Sequence, residues 1–463
     1  MTTRTATSVA TFRKEIFLLV ARALGDADAR TPTGRYVALA TRLARSDEAW
    51  LTRMVGWMGR HPGLRGLRLA TLAELAQARL EAGATGTRQL LDQCLHRADE
   101  PGELLAYWLH WYGRALPQPV KRGIADAAVR LYDERALATY DSPGAPLRFA
   151  DVLALTHPVP QGAAQADVFR HAVARRRGDL NDLPASLPLL RARRALYWIP
   201  ASRRPALLER PHAGRTLAGA AMTWATVQRW LLGTMTGPAW AAVAPSMPYQ
   251  DRLAHLADFD RDGMPDETAH QLAEDLASPA WVLRSGVTPL EVLAALRSVP
   301  GSRWSLSLGL AMDLSLANVP ALPGRTLVLI DRGDLMAGPA YGGLTRADGA
   351  AILGAALAVR ASRAQVVVLG TPATTVPVRP GEPLTDVIDR FGDVGGTTSP
   401  AQAIRDHAAG HDRVVVLTHP DQAAEAAEAV TGPGQEHVIT DVTSGWFTAI
   451  PHIEMARTGD WPF

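Results

Sequence analysis

A run of strand-forming residues, Leu327 to Ile330, ends in the carboxylate of Asp331 and passes into the loop "RGDLMAGPAYGG". The carboxyl end of a parallel strand is where ligands and metals bind in α/β sheets. One loop found there reads Asp-x-Ser-x-Ser, and it offers three hard oxygens to magnesium, which seeks octahedral oxygen coordination. In this chain the two serine positions are Gly333 and Leu335, which carry no side-chain oxygen. The first question is therefore whether Asp331 still belongs to a metal site.

A second chemistry lies in the arginines. Arg175, Arg176 and Arg177 are contiguous, "RARR" (191–194) brings Arg193 and Arg194 together, and Arg203 and Arg204 follow. Lys121 and Arg122 sit at an expected helix start in "PVKRG". Guanidinium groups suit phosphates and stack on bases, although such runs most often form solvated faces. Net charge is only +2, but it is uneven: residues 321–463 hold 10 arginines against 16 acidic residues, a net of −6, which leaves +8 on 1–320. A basic N-terminal part of that kind points to a polyanion partner. Enzyme frameworks are missing. The chain has no nucleophile elbow, no phosphate-binding P-loop and no Cys/His metal spacing, so a non-enzymatic role is expected.

The elements that must position these groups fall into two kinds. From residue 10 to about 315, stretches such as "LLAYWLHWYGRAL", "PLLRARRALYWI" and "TPLEVLAALRSV" carry apolar residues at three- and four-residue spacing, broken at Pro/Gly pairs. Successive amphipathic helices with short breaks predict an α-solenoid. The pattern changes at the linker "VPALPGRT". Beyond it "TLVLI", "AQVVVLG", "DRVVVLTH" and "EHVITDV" read as buried strands, with helices "ADGAAILGAALAVRA" and "QAAEAAEAV" between them. That alternation predicts a doubly wound α/β sheet. The expected domains are 1–320 and 321–463. A single cysteine, Cys94, excludes an intramolecular disulfide. No apolar run is long enough for a bilayer and the first residues lack a secretory segment, so the cytoplasm is the expected compartment.

The order helical array, Asp-ended strand, "GGTT" and "VVVLTH" resembles the TROVE family of telomerase-associated, Ro and vault proteins. The stretches "LRGLRLATLAELA", "RADEPGELLAYW", "LPQPVKRGIADA", "LRFADVLALTHPVP", "SGVTPLEVLAALRSV" and "VTSGWFTAIP" carry the same resemblance in the same order. It implies a ring of HEAT-like helical repeats followed by a von Willebrand A-like α/β domain. It also implies a noncoding-RNA partner, either misfolded RNA with a single-stranded end or small structured Y-like RNA, with work alongside an exoribonuclease. A monomer away from membranes is expected.

The resemblance assigns residues as well. His157, Arg148, Lys121, Arg122, Arg175, Arg176, Arg177, Arg193 and Arg194 become the candidate RNA contacts. For His157 the plainer alternative is a histidine at a helix C-terminus, favoured by the dipole. The family's metal set maps onto Asp331, Thr397 and His419, with His419 standing where an aspartate belongs. Two of five ligands remain, and imidazole is a poor magnesium ligand. A shifted set of Asp331, Asp334 and His419, with Asp421 nearby, is the alternative; loss of the metal is the expectation, with no cofactor. Two departures bear on the partner: "TYDSPGAP" replaces basic residues ahead of His157, and Ala254 and His255 replace an Arg-Asn pair. The alternative function is a protein-interaction scaffold that has lost both RNA and metal binding.

Overall fold

The computed structural model describes residues 2–179, 183–379, 381–392, 394–396, 398–429 and 435–463. It divides into two compact units, Met1–Thr234 with Ala456–Phe463, and Met235–Met455.

In the first unit, alternate helices stack on one another as helical repeats do. Gly34–Ser46 packs on Arg65–Glu81, and that helix on Glu100–Trp111; Thr87–Cys94 packs on Gln118–Leu131, and that helix on Phe149–Thr156. Gly123 lies where Thr87–Cys94 and Gln118–Leu131 come close. A Cβ there would stand 2.7 Å from the carbonyl oxygen of Arg88, so only glycine lets the two helices meet at that distance. One charged pair is held inside the stack. Arg68 and Glu100 form a buried ion pair, and Glu100 also accepts the His96 N–H at 2.7 Å. A cluster of rings closes the unit: Trp461 lies 5.3 Å from Phe17 and 5.0 Å from Trp50, and Phe463 lies 5.4 Å from Trp50.

The second unit runs through further helices, from Gly237–Val243 to Ser305–Ser315, into a five-stranded sheet. The strands are β1 (Leu322–Asp331), β2 (Ala361–Leu369), β3 (Thr374–Val376), β4 (Arg413–Leu417) and β5 (Gln435–Ile439), in the order β3-β2-β1-β4-β5. All neighbours are parallel except β3, which runs antiparallel to β2. Parallel strands covered on both faces read as unbroken apolar runs, and Leu327 to Ile330 are fully buried at the centre of the sheet. The helix Arg346–Arg360 covers β1 and β2; Thr345 and Asp348 close its N-terminus with reciprocal hydrogen bonds. The fold is thus a helical-repeat region followed by an α/β sheet, as the sequence pattern predicts. Each of the four strand runs and two helices read from the sequence overlaps one element, the second helix being Pro420–Ala429, with Val430 outside the described residues. The short edge strand β3 and the helices Leu384–Asp389, Pro400–His407 and Trp446–Thr458 were not read. Among the described residues no helix is long and apolar enough to cross a membrane.

Candidate nucleic-acid interface

The helix Phe149–Thr156 starts where Asp151 accepts the N–H of Arg148 at 2.9 Å and Asp141 accepts the N–H of Phe149 at 3.0 Å. It stops at His157, whose φ of 50° is left-handed, with Pro158 following. A non-glycine residue held at that φ is strained by about 1 kcal/mol or more. Its imidazole is exposed and lines an open groove of about 560 Å³. Leu153 and Phe169 are also at the walls, and Arg170, Arg177 and Asp179 at the rim.

The three contiguous arginines point to different places. Successive helical residues lie about 100° apart, and each finds its own partner. Arg175 turns inward: its Nε lies 3.7 Å from the carboxylate of Asp141 and its Nη1 and Nη2 donate to the carbonyls of Leu137 and Asp141. Burial lowers the Arg175 guanidinium from its usual range, partly offset by Asp141. Arg148 pairs with the same carboxylate at 2.6 Å, and the Asp141 side chain is 1% exposed. Arg176 pairs with Asp151 at 3.2 Å. Only Arg177 reaches the groove, and among the described residues it makes no ion pair.

Lys121 is half-buried and Arg122 exposed in the second turn of Gln118–Leu131, and neither lines the groove. Arg193 donates to the carbonyls of Ala220 and Ala221, at 3.4 and 2.9 Å. The Arg194 guanidinium lies over the Trp198 ring at 5.4 Å. In the second unit His255 sits 2.7 Å from Asp258, close to the helix end at Ala254. The structure therefore brings His157 and Arg177 to one groove with Arg170, and commits Arg148, Arg175 and Arg176 to carboxylates of the scaffold.

The excess positive charge is concentrated in one stretch. From Leu183 to Thr234 the chain carries eight arginines and a single acidic residue, Glu209. Among the described residues Arg191, Arg193, Arg203, Arg204, Arg210, Arg215 and Arg229 form no ion pair with a carboxylate. Those with partners use neutral ones: Arg204 donates to the Ile199 carbonyl at 2.9 Å and Arg229 to the Ala225 carbonyl at 3.2 Å. Arg215 meets a ring nitrogen of His212 at 2.6 Å. A carbonyl orients a guanidinium without cancelling its charge. In contrast Arg13, Arg45, Arg65, Arg88 and Arg130 each face a carboxylate.

At the sheet, Asp331 is 3% exposed. Its Oδ1 accepts the Gly333 N–H at 2.8 Å and its Oδ2 accepts the Thr418 hydroxyl at 2.7 Å. Leu335 is exposed, and His419 lies 3.4 Å from Asp421. Thr397 lies outside the described residues. Among the described residues no three His, Cys, Asp or Glu side chains gather as a metal site, so the shifted set of Asp331, Asp334 and His419 is not assembled. Gly333, Leu335 and His419 do not fit the oxygen donors magnesium needs.

No family model matches the sequence. No curated protein matches it by sequence. Among solved structures it is similar to the Ro (RSR) protein of Deinococcus radiodurans, with a TM-score of 0.68 at 17% identity, over 93% of this chain and 94% of that one. This agrees with the resemblance carried by the sequence motifs. Over nearly its whole length, the chain has the fold of the Ro protein.

Proposed function

We propose that the chain is a cytoplasmic, non-catalytic RNA-binding protein that holds noncoding RNA, Y-like or misfolded, in quality control, maturation or decay. It works as a monomer and without a bound metal, presenting RNA to an exoribonuclease. The observation that carries this reading is the stretch 183–234, where eight arginines face one acidic residue and seven of them lack a carboxylate partner among the described residues. The Ro fold and the groove at His157 and Arg177 support it.

Such a surface binds RNA by neutralising phosphates and releasing counterions. Fluorescence anisotropy with labelled single-stranded RNA, repeated across a salt series, tests it. Each phosphate contact contributes roughly −0.7 to the log–log slope, so five contacts give about −3.5. Absence of salt-sensitive binding at low ionic strength overturns the reading. A second reading, the protein scaffold, is favoured by the ion pairs that occupy Arg148, Arg175 and Arg176. Nucleic acid that co-purifies with the native protein, seen in its absorbance ratio, argues against it.

A further inference from the structure

The largest exposed aromatic side chain in the basic stretch is Trp198, which is 77% exposed. It follows the last residue of the helix Pro188–Tyr197, and Tyr197 beside it is 45% exposed. An indole left in water forgoes the burial that usually fixes tryptophan in a fold.

The turn that carries it is nonetheless braced. Trp198 N–H donates to the Arg194 carbonyl at 3.1 Å and Ile199 N–H to the Leu196 carbonyl at 3.2 Å. From beneath, Arg204 donates to the carbonyls of Ile199 at 2.9 Å and Tyr197 at 3.4 Å, while its guanidinium rests on the buried Trp230 ring at 5.3 Å. Trp230 in turn donates its indole N–H to the Leu196 carbonyl at 2.9 Å. One surface of the Trp198 ring carries the Arg194 guanidinium at 5.4 Å. The result is an aromatic ring presented to solvent on a pinned backbone, with a cation beside it.

The surroundings select the occupant. From Leu183 to Leu208 there are five arginines and no acidic residue, and Arg191 and Arg203 are exposed. A flat π-face beside the exposed guanidinium groups of Arg191 and Arg203, which face no carboxylate among the described residues, matches a chain that alternates planar bases with phosphates. Aromatic stacking with arginine on the backbone is how single strands are held irrespective of sequence. An acidic peptide would satisfy the charge and leave the ring unused.

We infer that Trp198 is a stacking platform for an unpaired base of single-stranded RNA, with Arg191, Arg194 and Arg203 on the flanking phosphates. The site rests on the RNA-binding reading above and gives it a specific contact. Two probes separate base from phosphate: a labelled short oligouridylate and an abasic oligomer of the same length.

Trp198→Ala weakens oligouridylate binding by roughly five- to hundredfold, the range for losing one base–aromatic stack. Trp198→Gln does the same and Trp198→Phe retains most of the affinity. The abasic strand binds the wild type and both weak variants equally, and all variants melt with the wild type because the side chain is exposed. Unchanged oligouridylate binding by Trp198→Ala overturns the platform, and so does an equal loss on the abasic strand. Competition by oligoglutamate that depends on Trp198 also overturns it, by making the site one for acidic peptide. Failure of the wild type to bind either strand at low salt instead removes the RNA reading itself, and the platform with it.

Discussion

The hydroxyl of Thr418, one residue beyond β4, donates to Oδ2 of Asp331 across 2.7 Å, joining the ends of two adjacent strands. With the Gly333 N–H on the other oxygen, this carboxylate serves the loop. Millimolar magnesium is therefore expected to leave the melting temperature unchanged, since only a bound ion stabilises the native state. Asp331→Ala is expected to lower stability by about 1–3 kcal/mol, the range for leaving buried donors unpaired. Scanning calorimetry checks both. A stoichiometric magnesium site that disappears in Asp331→Ala would refute the first.

Asp141 holds Arg148 and Arg175 together and accepts the Phe149 N–H. Removing a buried partner strands the charges it compensated, and the loss is typically about 3–5 kcal/mol. Asp141→Ala should therefore destabilise the first unit on that scale in denaturant unfolding, whatever RNA is present. Arg175→Glu would put a second carboxylate beside Asp141 and should destabilise as well, so it cannot serve as a clean RNA-binding variant.

Arg177 can. It lines the groove with His157 and Arg170 and is exposed. Arg177→Glu should leave the melting curve within error and weaken RNA binding severalfold. If it removes one phosphate contact, the salt slope should flatten by about 0.7. An unchanged slope and affinity in the anisotropy titration would take Arg177 out of the interface.

His171 lies buried on the helix Ala163–Arg176, and burial, with Arg175 and Arg194 nearby, lowers its pKa from 6.5. Burial likewise lowers His452. The unfolded chain then binds more protons than the folded one below about pH 6.5, so stability is fully present above that pH and falls as pH drops through the window beneath it. Thermal melts from pH 7.5 to 5.5 should show this decline, and His171→Gln should make it shallower by a fraction of one proton. A slope identical to the wild type's would mean His171 does not contribute.

The strands were legible because burial on both faces writes an unbroken apolar run, as in "TLVLI" and "VVVL". β3 was not, since three residues at an edge, two of them exposed threonines, carry no periodicity. The arginine triplet misled for a geometric reason: adjacency in sequence is dispersion around a helix, so Arg175 faces Asp141 while Arg177 faces the groove. Asp141 itself lies in "TYDSPGAP", read only as a place where basic residues were missing. The excess charge at 183–234 was countable, but a whole-domain sum diluted it. Trp198 looked like one more apolar position of an amphipathic helix; the helix ends at Tyr197, and past its end the periodic phase no longer says which way a side chain faces.

Trp461 and Phe463 fit among Phe17, Trp50 and Trp57, so the first unit is discontinuous in sequence, interrupted by Met235–Met455. Synthesis is vectorial, at about 5–20 residues per second, so the interruption lasts on the order of 10–40 s. For that interval the nascent chain carries an aromatic pocket whose filling has not yet been made. Completion of this core is timed by translation of the second unit.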